Sequence, residues 1–102
     1  MKRKVTCLFR EQNFKKLKNK IIALNQLNIY LSNLEHNYKF LRGNLNSETN
    51  LIAVVKASAY GSALPAIAKR LEKLGVNIFA VAYSNEGKIL RRIGIKSRIM
   101  VF

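Results

Sequence analysis

The sequence predicts an α/β fold built on a parallel sheet, and two observations support this prediction. After residue 50, three short apolar runs typical of strands alternate with segments whose apolar residues recur at helical spacing. The first run, LIAVVK, is continuously apolar up to its lysine, as expected for a strand covered on both faces. VNIFAVAY is interpreted as a second buried strand and RIMVF as the start of a third. The chain stops at Phe102 within the third run, so we expect an incomplete sheet with open edges.

The composition limits the chain to one small domain or part of a larger one, since it has 102 residues. Apolar residues make up 49%, which is enough for a packed core, and the net charge is +14 with no aspartate. This charge is compatible with a nucleic-acid partner or an anionic membrane surface. We favour a compositional bias toward lysine, because the charges spread from Lys2 to Arg98 and no RNA-binding signature interleaves aromatics with glycines.

The first 26 residues differ from the rest and are interpreted as a basic helical linker or extension, with the globular part over 27–102. Apolar residues at positions 14, 17, 21 and 24 fall at helical spacing among lysines. A role in binding a membrane surface or a partner is the alternative. No apolar stretch is long enough for a signal peptide and Cys7 is the only cysteine, so we expect a cytoplasmic protein.

A first helix is predicted to begin at Ser32, where SNLE matches a capping box, and to end at Gly43. Its inward face comprises Leu34, Tyr38 and Leu41. The only histidine of the chain lies in this helix without a cysteine or carboxylate cluster, so no metal site is predicted.

Two further helices separate the apolar runs. One is predicted over 62–74, with a proline tolerated in its first turn and Gly75 closing it. The other is predicted to be capped by Ser84 and closed by Gly94, with Glu86 in the first turn, where the helix dipole favours a negative charge. The residues predicted to face inward are Leu64, Ile67, Ala68, Leu71, Leu74, Leu90 and Ile93.

Lys56 is the candidate catalytic residue because it ends the first apolar run. Alternation along the strand places it on the same face as Ile52 and Val54, at the carboxyl end, where parallel α/β folds bind ligands. Partial desolvation there favours a free amine that can attack a carbonyl. Tyr60 is expected to lie over the same carboxyl end of the sheet, because the loop folds back there. Gly61 is expected to permit a tight turn. The alternative is a lysine that only extends from a strand end into solvent.

Three stretches together resemble the alanine racemases, enzymes that use pyridoxal 5′-phosphate. AVVKASAYGS is similar to the family's cofactor-lysine segment, a buried strand ending Val-Val-Lys-Ala, one variable residue, then Ala-Tyr-Gly. VNIFAVAYSNEGKILRRIGI resembles the following strand and helix, and NIYLSNLEHNYKFLR the opening segment. The sequence of the second stretch is most similar to that of racemases fused behind a cell-wall ligase that adds D-Ala-D-Ala.

The resemblance implies an eight-stranded (β/α)8 TIM-type barrel, of which residues 27–102 supply about three βα units. It implies that Lys56 holds the cofactor covalently and acts as base or acid on one face of alanine. It further implies that Tyr60 approaches the cofactor phosphate and that Val54 and Phe102 line the cofactor site. The full-length family is homodimeric and supplies D-alanine for peptidoglycan.

The resemblance also shows what these residues lack. The family's opposite-face tyrosine, its arginine at the pyridine nitrogen and most phosphate-binding groups come from later segments. Ser58 and Ser62 replace the usual asparagine and histidine beside the lysine motif, which leaves the lysine chemistry untouched. We therefore expect the chain to be inactive alone. A non-catalytic cofactor-binding barrel protein and a basic nucleic-acid-binding protein are the alternatives.

Overall fold

A computed structural model describes residues 4–7 and 27–102. The chain forms five strands and four helical segments within these residues. In order they are β1 (Lys4–Cys7), β2 (Leu27–Tyr30), α1 (Leu31–Gly43), β3 (Ile52–Val54), α2 (Lys56–Gly61), α3 (Leu64–Leu74), β4 (Ile78–Val81), α4 (Ser84–Arg92) and β5 (Arg98–Val101). In this part of the chain, no helix has both the length and the apolar character needed to cross a bilayer.

The predicted parallel sheet is confirmed. Its strand order is β3-β4-β5, and both neighbouring pairs are parallel. Ala53 lies opposite Phe79, and Phe79 lies opposite Ile99. Each connection contains a helix, because parallel strands need a crossover to return the chain to the same edge.

A second sheet was not predicted. β1 pairs antiparallel with β2, and Val5 lies opposite Ile29. The basic segment before residue 27 therefore contributes a strand. The basic helix predicted around positions 14–24 lies outside the described residues, and the division of the chain at residue 26 stays a prediction.

The core lies between the parallel sheet and the helices on one of its faces. The central strand supplies Phe79 and Val81, which are fully buried, and α4 supplies Leu90. α3 packs its predicted apolar face inward through Leu64, Ala68 and Leu71, with Ile67 partly buried against the same cluster. A strand covered by neighbours on both sides and by helices on one face is the most protected position such a sheet offers.

Among the residues that the structure describes, nothing packs on the other face of the sheet. Alternation along β3 buries Ala53 and Val55 against the helices, whereas Ile52 and Val54 are 42% and 41% exposed on the opposite face. Met100, opposite Ala80 across β4 and β5, is likewise exposed. The prediction that the first strand is covered on both faces is therefore wrong for β3, because within the described residues the helices pack on one face of the sheet.

The capping box predicted at Ser32 does not form. β2 runs directly into α1, so Tyr30 is the N-cap residue and Ser32 lies inside the helix. Leu34 and Tyr38 pack against the core as predicted, but Leu41 is exposed. The inward face of α1 therefore ends one turn earlier than the apolar pattern suggested.

Glu35 fixes α1 against α3. Its carboxylate accepts a hydrogen bond from Lys39 Nζ at 2.8 Å and lies 3.5 Å from Arg70 Nη1 on α3. The hydrogen bond from Lys39, followed by its positive charge, lowers the pKa of Glu35 below its ordinary value. Exposed pairs of this kind contribute little individually, so packing carries most of the contact between these helices.

The boundaries of the next two helices differ slightly from the prediction. α3 begins at Leu64 instead of residue 62, because Ala63 before it is still left-handed, with φ of 59°. Gly75 closes α3 with φ of 110°, as predicted. The N-cap of α4 is Tyr83, so Ser84 is the first helical residue and not the cap.

Glu72 joins α3 to the loop before β5, at the amino end of the sheet. Its carboxylate accepts hydrogen bonds from the backbone N–H groups of Lys96 and Ser97 and from Ser97 Oγ, each at 2.7 Å. Arg91 closes the same loop by donating to the carbonyl oxygens of Ile95 and Ser97. The hydrogen bond from the Ser97 hydroxyl is the main cause that holds the pKa of Glu72 below its ordinary value.

Acid should therefore weaken the fold through Glu72. Because folding lowers the pKa of Glu72, its contribution to stability is present above the ordinary value of 4.5 and is lost as the pH falls through the lower folded-state value. We expect Glu72→Gln to reduce amide protection at neutral pH and to flatten its further loss in acid. Hydrogen exchange against pH measures this, with Glu48→Gln at an exposed loop position as control. Identical pH profiles for Glu72→Gln and the unsubstituted chain would contradict the prediction.

The open sheet face should limit the stability of the chain by itself. Burial on one face must offset a chain entropy cost of roughly 1–2 kcal/mol per residue. We expect weak amide protection even in β4, together with binding of an apolar dye that reports exposed hydrophobic surface. Amide protection throughout β3, β4 and β5 equal to that of a stable domain would show that the helix-covered face suffices.

Candidate functional site

The candidate site lies at the carboxyl edge of the parallel sheet, where the segments after β3 and β4 meet. Lys56 was predicted to be the last residue of the first strand. It lies instead two residues after the end of β3 and is the first residue of α2. Between them, Val55 continues the sheet by donating its N–H to Ala80 O at 2.9 Å. Lys56 is half-buried and stands directly beyond the sheet edge.

α2 is a left-handed turn. Ala57, Ser58, Ala59 and Tyr60 have φ between 50° and 57°, and Gly61 follows with φ of 79°. A left-handed helical conformation costs roughly 1–2 kcal/mol for each residue with a β-carbon. Four such residues in a row need compensating contacts to persist.

Two kinds of contact hold this turn. Within it, Ala59 N donates to Val55 O at 3.0 Å and Ser62 N donates to Ser58 O at 3.2 Å. Ala59 also buries its methyl group in the core cluster. Because Ala59 points inward, the tyrosine after it points outward, and Tyr60 is 65% exposed.

Glu86 connects this turn to the next segment along the edge. Its Oε1 accepts a hydrogen bond from Ala57 N at 2.6 Å, and its Oε2 accepts from Ala82 N at 2.9 Å and Tyr83 N at 3.0 Å. The hydrogen bond from Tyr83 is the largest cause that keeps the pKa of Glu86 below its ordinary value, and the positive charge of Lys56 adds to it. Glu86 is therefore ionised at neutral pH and binds backbone N–H groups from both segments.

The sequence-predicted residues lie around this edge. Lys56 and Tyr60 share the left-handed turn. Val54 is the last residue of β3 and Phe102 directly follows β5, with β4 between the two strands. Phe102 N donates to Val81 O at 3.0 Å. Phe102 is 68% exposed and Val54 lies on the open apolar face. An amine, a phenol and apolar side chains thus occur together at one rim.

Sequence reasoning missed two features of the site. The glycine at position 61 was the one sequence feature that indicated a left-handed turn. The other residues of the turn with positive φ are two alanines, a serine and a tyrosine, which rarely adopt this conformation. Glu86 was predicted only as a first-turn charge, and its bond to Ala57, 29 residues earlier, needs the parallel register of β3 and β4. Local patterns do not contain such a contact.

A hollow at the opposite end of the sheet does not compete with this site. It is bordered by the end of α1, the loop before β3 and the loop before β4. Arg42 occupies this region by donating to the carbonyl oxygens of Asn46, Ser47 and Thr49. These hydrogen bonds hold the loop between α1 and β3 in place, so we assign Arg42 a role in the fold and not in binding a ligand.

The chain is similar to known racemases over most of its described residues. The family model described as alanine racemase, N-terminal domain, matches residues 29–102. Alanine racemase 1 of Caldanaerobacter subterraneus is 36% identical over 77 residues, covering 76% of this chain and 20% of that protein. An amino-acid racemase of Enterococcus faecalis is 43% identical over 75 residues, covering 74% of this chain and 10% of that protein.

A solved structure supports the fold. The alanine racemase of Clostridium difficile 630 aligns with a TM-score of 0.69 and 38% identity, covering 71% of this chain and 19% of that one. The chain spans about a fifth of the length of the alanine racemases it matches. Its three parallel strands and intervening helices correspond to βα units in the N-terminal part of the TIM-type barrel. The chain belongs to the alanine racemase family and matches its N-terminal domain over residues 29–102.

Proposed function

We propose that this chain carries the cofactor lysine of a pyridoxal 5′-phosphate-dependent racemase that acts on alanine. The observation that carries the proposal is the position of Lys56, half-buried at the carboxyl edge of a parallel sheet beside an open apolar face. Family membership supports the reaction class. The names of relatives such as alanine racemase 1 support alanine as the substrate.

The side chains at the rim fit this cofactor. Lys56 supplies a primary amine for the aldehyde, and in the described part of the chain it is absent from the ion pairs, which join Lys39 and Arg70 to Glu35. Tyr60 offers an exposed hydroxyl to a phosphate oxygen. Val54 and Phe102 offer apolar surface on either side of β4 for an aromatic ring.

Two side chains of the rim act in the proposed mechanism. When bound, pyridoxal 5′-phosphate withdraws electrons from the α-carbon of alanine and so makes its proton easier to remove. Lys56 Nζ would hold the cofactor until the amine of the substrate takes its place, and the released Nζ would then exchange the α-proton on one face of the substrate. The Tyr60 hydroxyl would donate to the phosphate. Racemisation needs a second acid–base group on the opposite face, which we assign to a segment beyond these residues.

The wider role is part of the same proposal. We assign the product D-alanine to peptidoglycan synthesis and the reaction to the cytoplasm, and we expect the whole enzyme to be a homodimer. The link to a fused cell-wall ligase remains a prediction from the sequence. We expect this chain alone to lack the complete acid–base pair.

Lys56 should react with pyridoxal 5′-phosphate in preference to the other lysines. Its half-buried amine at the sheet edge differs from exposed amines such as Lys69 on α3. Borohydride reduction followed by peptide mapping measures the label at each lysine, with Lys56→Arg and Lys69→Arg as matched variants. We expect only Lys56→Arg to remove the preferred label. Label spread evenly over the surface lysines would reject the assignment.

The chain by itself should not racemise alanine above the rate of free cofactor. A positioned acid–base group is typically worth about a hundred- to ten-thousand-fold in rate, and the opposite-face group is assigned elsewhere. Incubation with L-alanine and cofactor, coupled to a D-amino-acid oxidase, measures turnover. Cofactor binding without turnover agrees with our expectation, and turnover well above free cofactor would show a complete site in this chain.

A further inference from the structure

Glu86 is placed to control the geometry of the proposed lysine site. It is the first-turn glutamate of α4, and such residues commonly accept a hydrogen bond from the N-cap backbone, as Glu86 does from Tyr83. The bond between its Oε1 and Ala57 N goes beyond capping. It joins the carboxylate to the residue directly after Lys56.

The strain in the left-handed turn gives this bond its importance. Ala57 is the first of four consecutive residues with positive φ and β-carbons, a conformation that must be held by its surroundings. Its N–H points to Glu86 at 2.6 Å, a short distance typical of a hydrogen bond to a charged acceptor. Glu86 therefore fixes the start of the turn, and Lys56 and Tyr60 lie at its two ends.

The Glu86 carboxylate holds the turn without forming an ion pair with Lys56. Its two oxygens are shared among three backbone N–H groups, those of Ala57, Ala82 and Tyr83. Within the described residues, no ion pair joins Lys56 to Glu86. The amine is held in place through its backbone and stays available for the cofactor aldehyde.

We propose that Glu86 is a positioning residue for Lys56 and Tyr60, acting through its hydrogen bond to Ala57 N. This inference rests on the proposed function. It adds that cofactor attachment at Lys56 depends on a carboxylate that does not itself touch the cofactor.

Glu86→Gln is the sharpest variant because it keeps the shape of the side chain. Glutamine has one oxygen acceptor in place of two and carries an N–H₂ group where an acceptor stood. The N–H group of Ala57 must then compete for the one oxygen with those of Ala82 and Tyr83. Glu86→Ala removes all three hydrogen bonds. Glu72→Gln is the matched control, since Glu72 also accepts three hydrogen bonds but at the amino end of the sheet.

The first measurement is amide exchange of Ala57 relative to Val55, in trimethylamine N-oxide to favour the folded chain. Val55 donates to the sheet through Ala80 O and should exchange mainly by global unfolding, so faster exchange of Ala57 than of Val55, each relative to its intrinsic rate, reports local opening of the turn. We expect Glu86→Gln to speed Ala57 relative to Val55 by roughly tenfold, the effect of losing one hydrogen bond to a charged group. Glu72→Gln should raise both rates through global unfolding and should not make Ala57 faster relative to Val55.

The second measurement is the ratio of borohydride-fixed pyridoxal 5′-phosphate label at Lys56 to that at Lys69. We expect the ratio to fall several-fold in Glu86→Gln, to approach one in Glu86→Ala, and to change much less in Glu72→Gln. A faster Ala57 amide with an unchanged label ratio would make Glu86 merely structural and overturn the inference, while leaving Lys56 as the cofactor lysine. Equal falls in Glu86→Gln and Glu72→Gln would overturn it in the same way. A label ratio near one in the unsubstituted chain would instead reject the proposed function, and the positioning role with it.

Discussion

The burial of β4 between two parallel neighbours is the constraint on which the rest of the structure depends. Phe79, Ala80 and Val81 are fully buried because strands flank β4 on both sides and helices cover one face. This arrangement fixes the register of β3 and β5, and with it the positions at which the chain leaves the sheet. Because the strands are parallel, all three exits lie on one edge, where Lys56, Glu86 and Phe102 follow.

The two ends of the sheet use carboxylates in different ways. At the amino end, Glu72 fixes a loop between elements of ordinary geometry. At the carboxyl end, Glu86 fixes a turn whose backbone is unfavourable by itself. The strained backbone of residues 57–60 therefore lies beside the candidate amine of Lys56, whereas the loop that Glu72 holds at the amino end has ordinary backbone geometry. This division matches the general rule that barrels bind ligands at the carboxyl ends of their strands and gain stability from the other end.

The parallel sheet and the inward face of α3 could be predicted from the sequence, because burial imposes a pattern on the residues that are buried. Leu64, Ala68 and Leu71 followed helical spacing and were found in the core. The exposure of Ile52 and Val54 was not expected from the same pattern, since an apolar run does not show whether its second face is covered. The left-handed turn and the contact between Glu86 and Ala57 were missed because both arise from tertiary register. Ser32 resembled a cap, but β2 leaves no loop before α1 for a cap to act in.

Most of the acidic residues in the described structure connect its elements or hold its turns. The chain has five acidic residues against nineteen lysines and arginines. Three of the five, Glu35, Glu72 and Glu86, accept hydrogen bonds that join separate elements of the described structure or hold its turns. Replacing Glu72 or Glu86 by a basic residue would leave several hydrogen-bond donors without their acceptor and would raise a net charge that is already +14. These two positions therefore tolerate a further gain of positive charge less well than the exposed surface does.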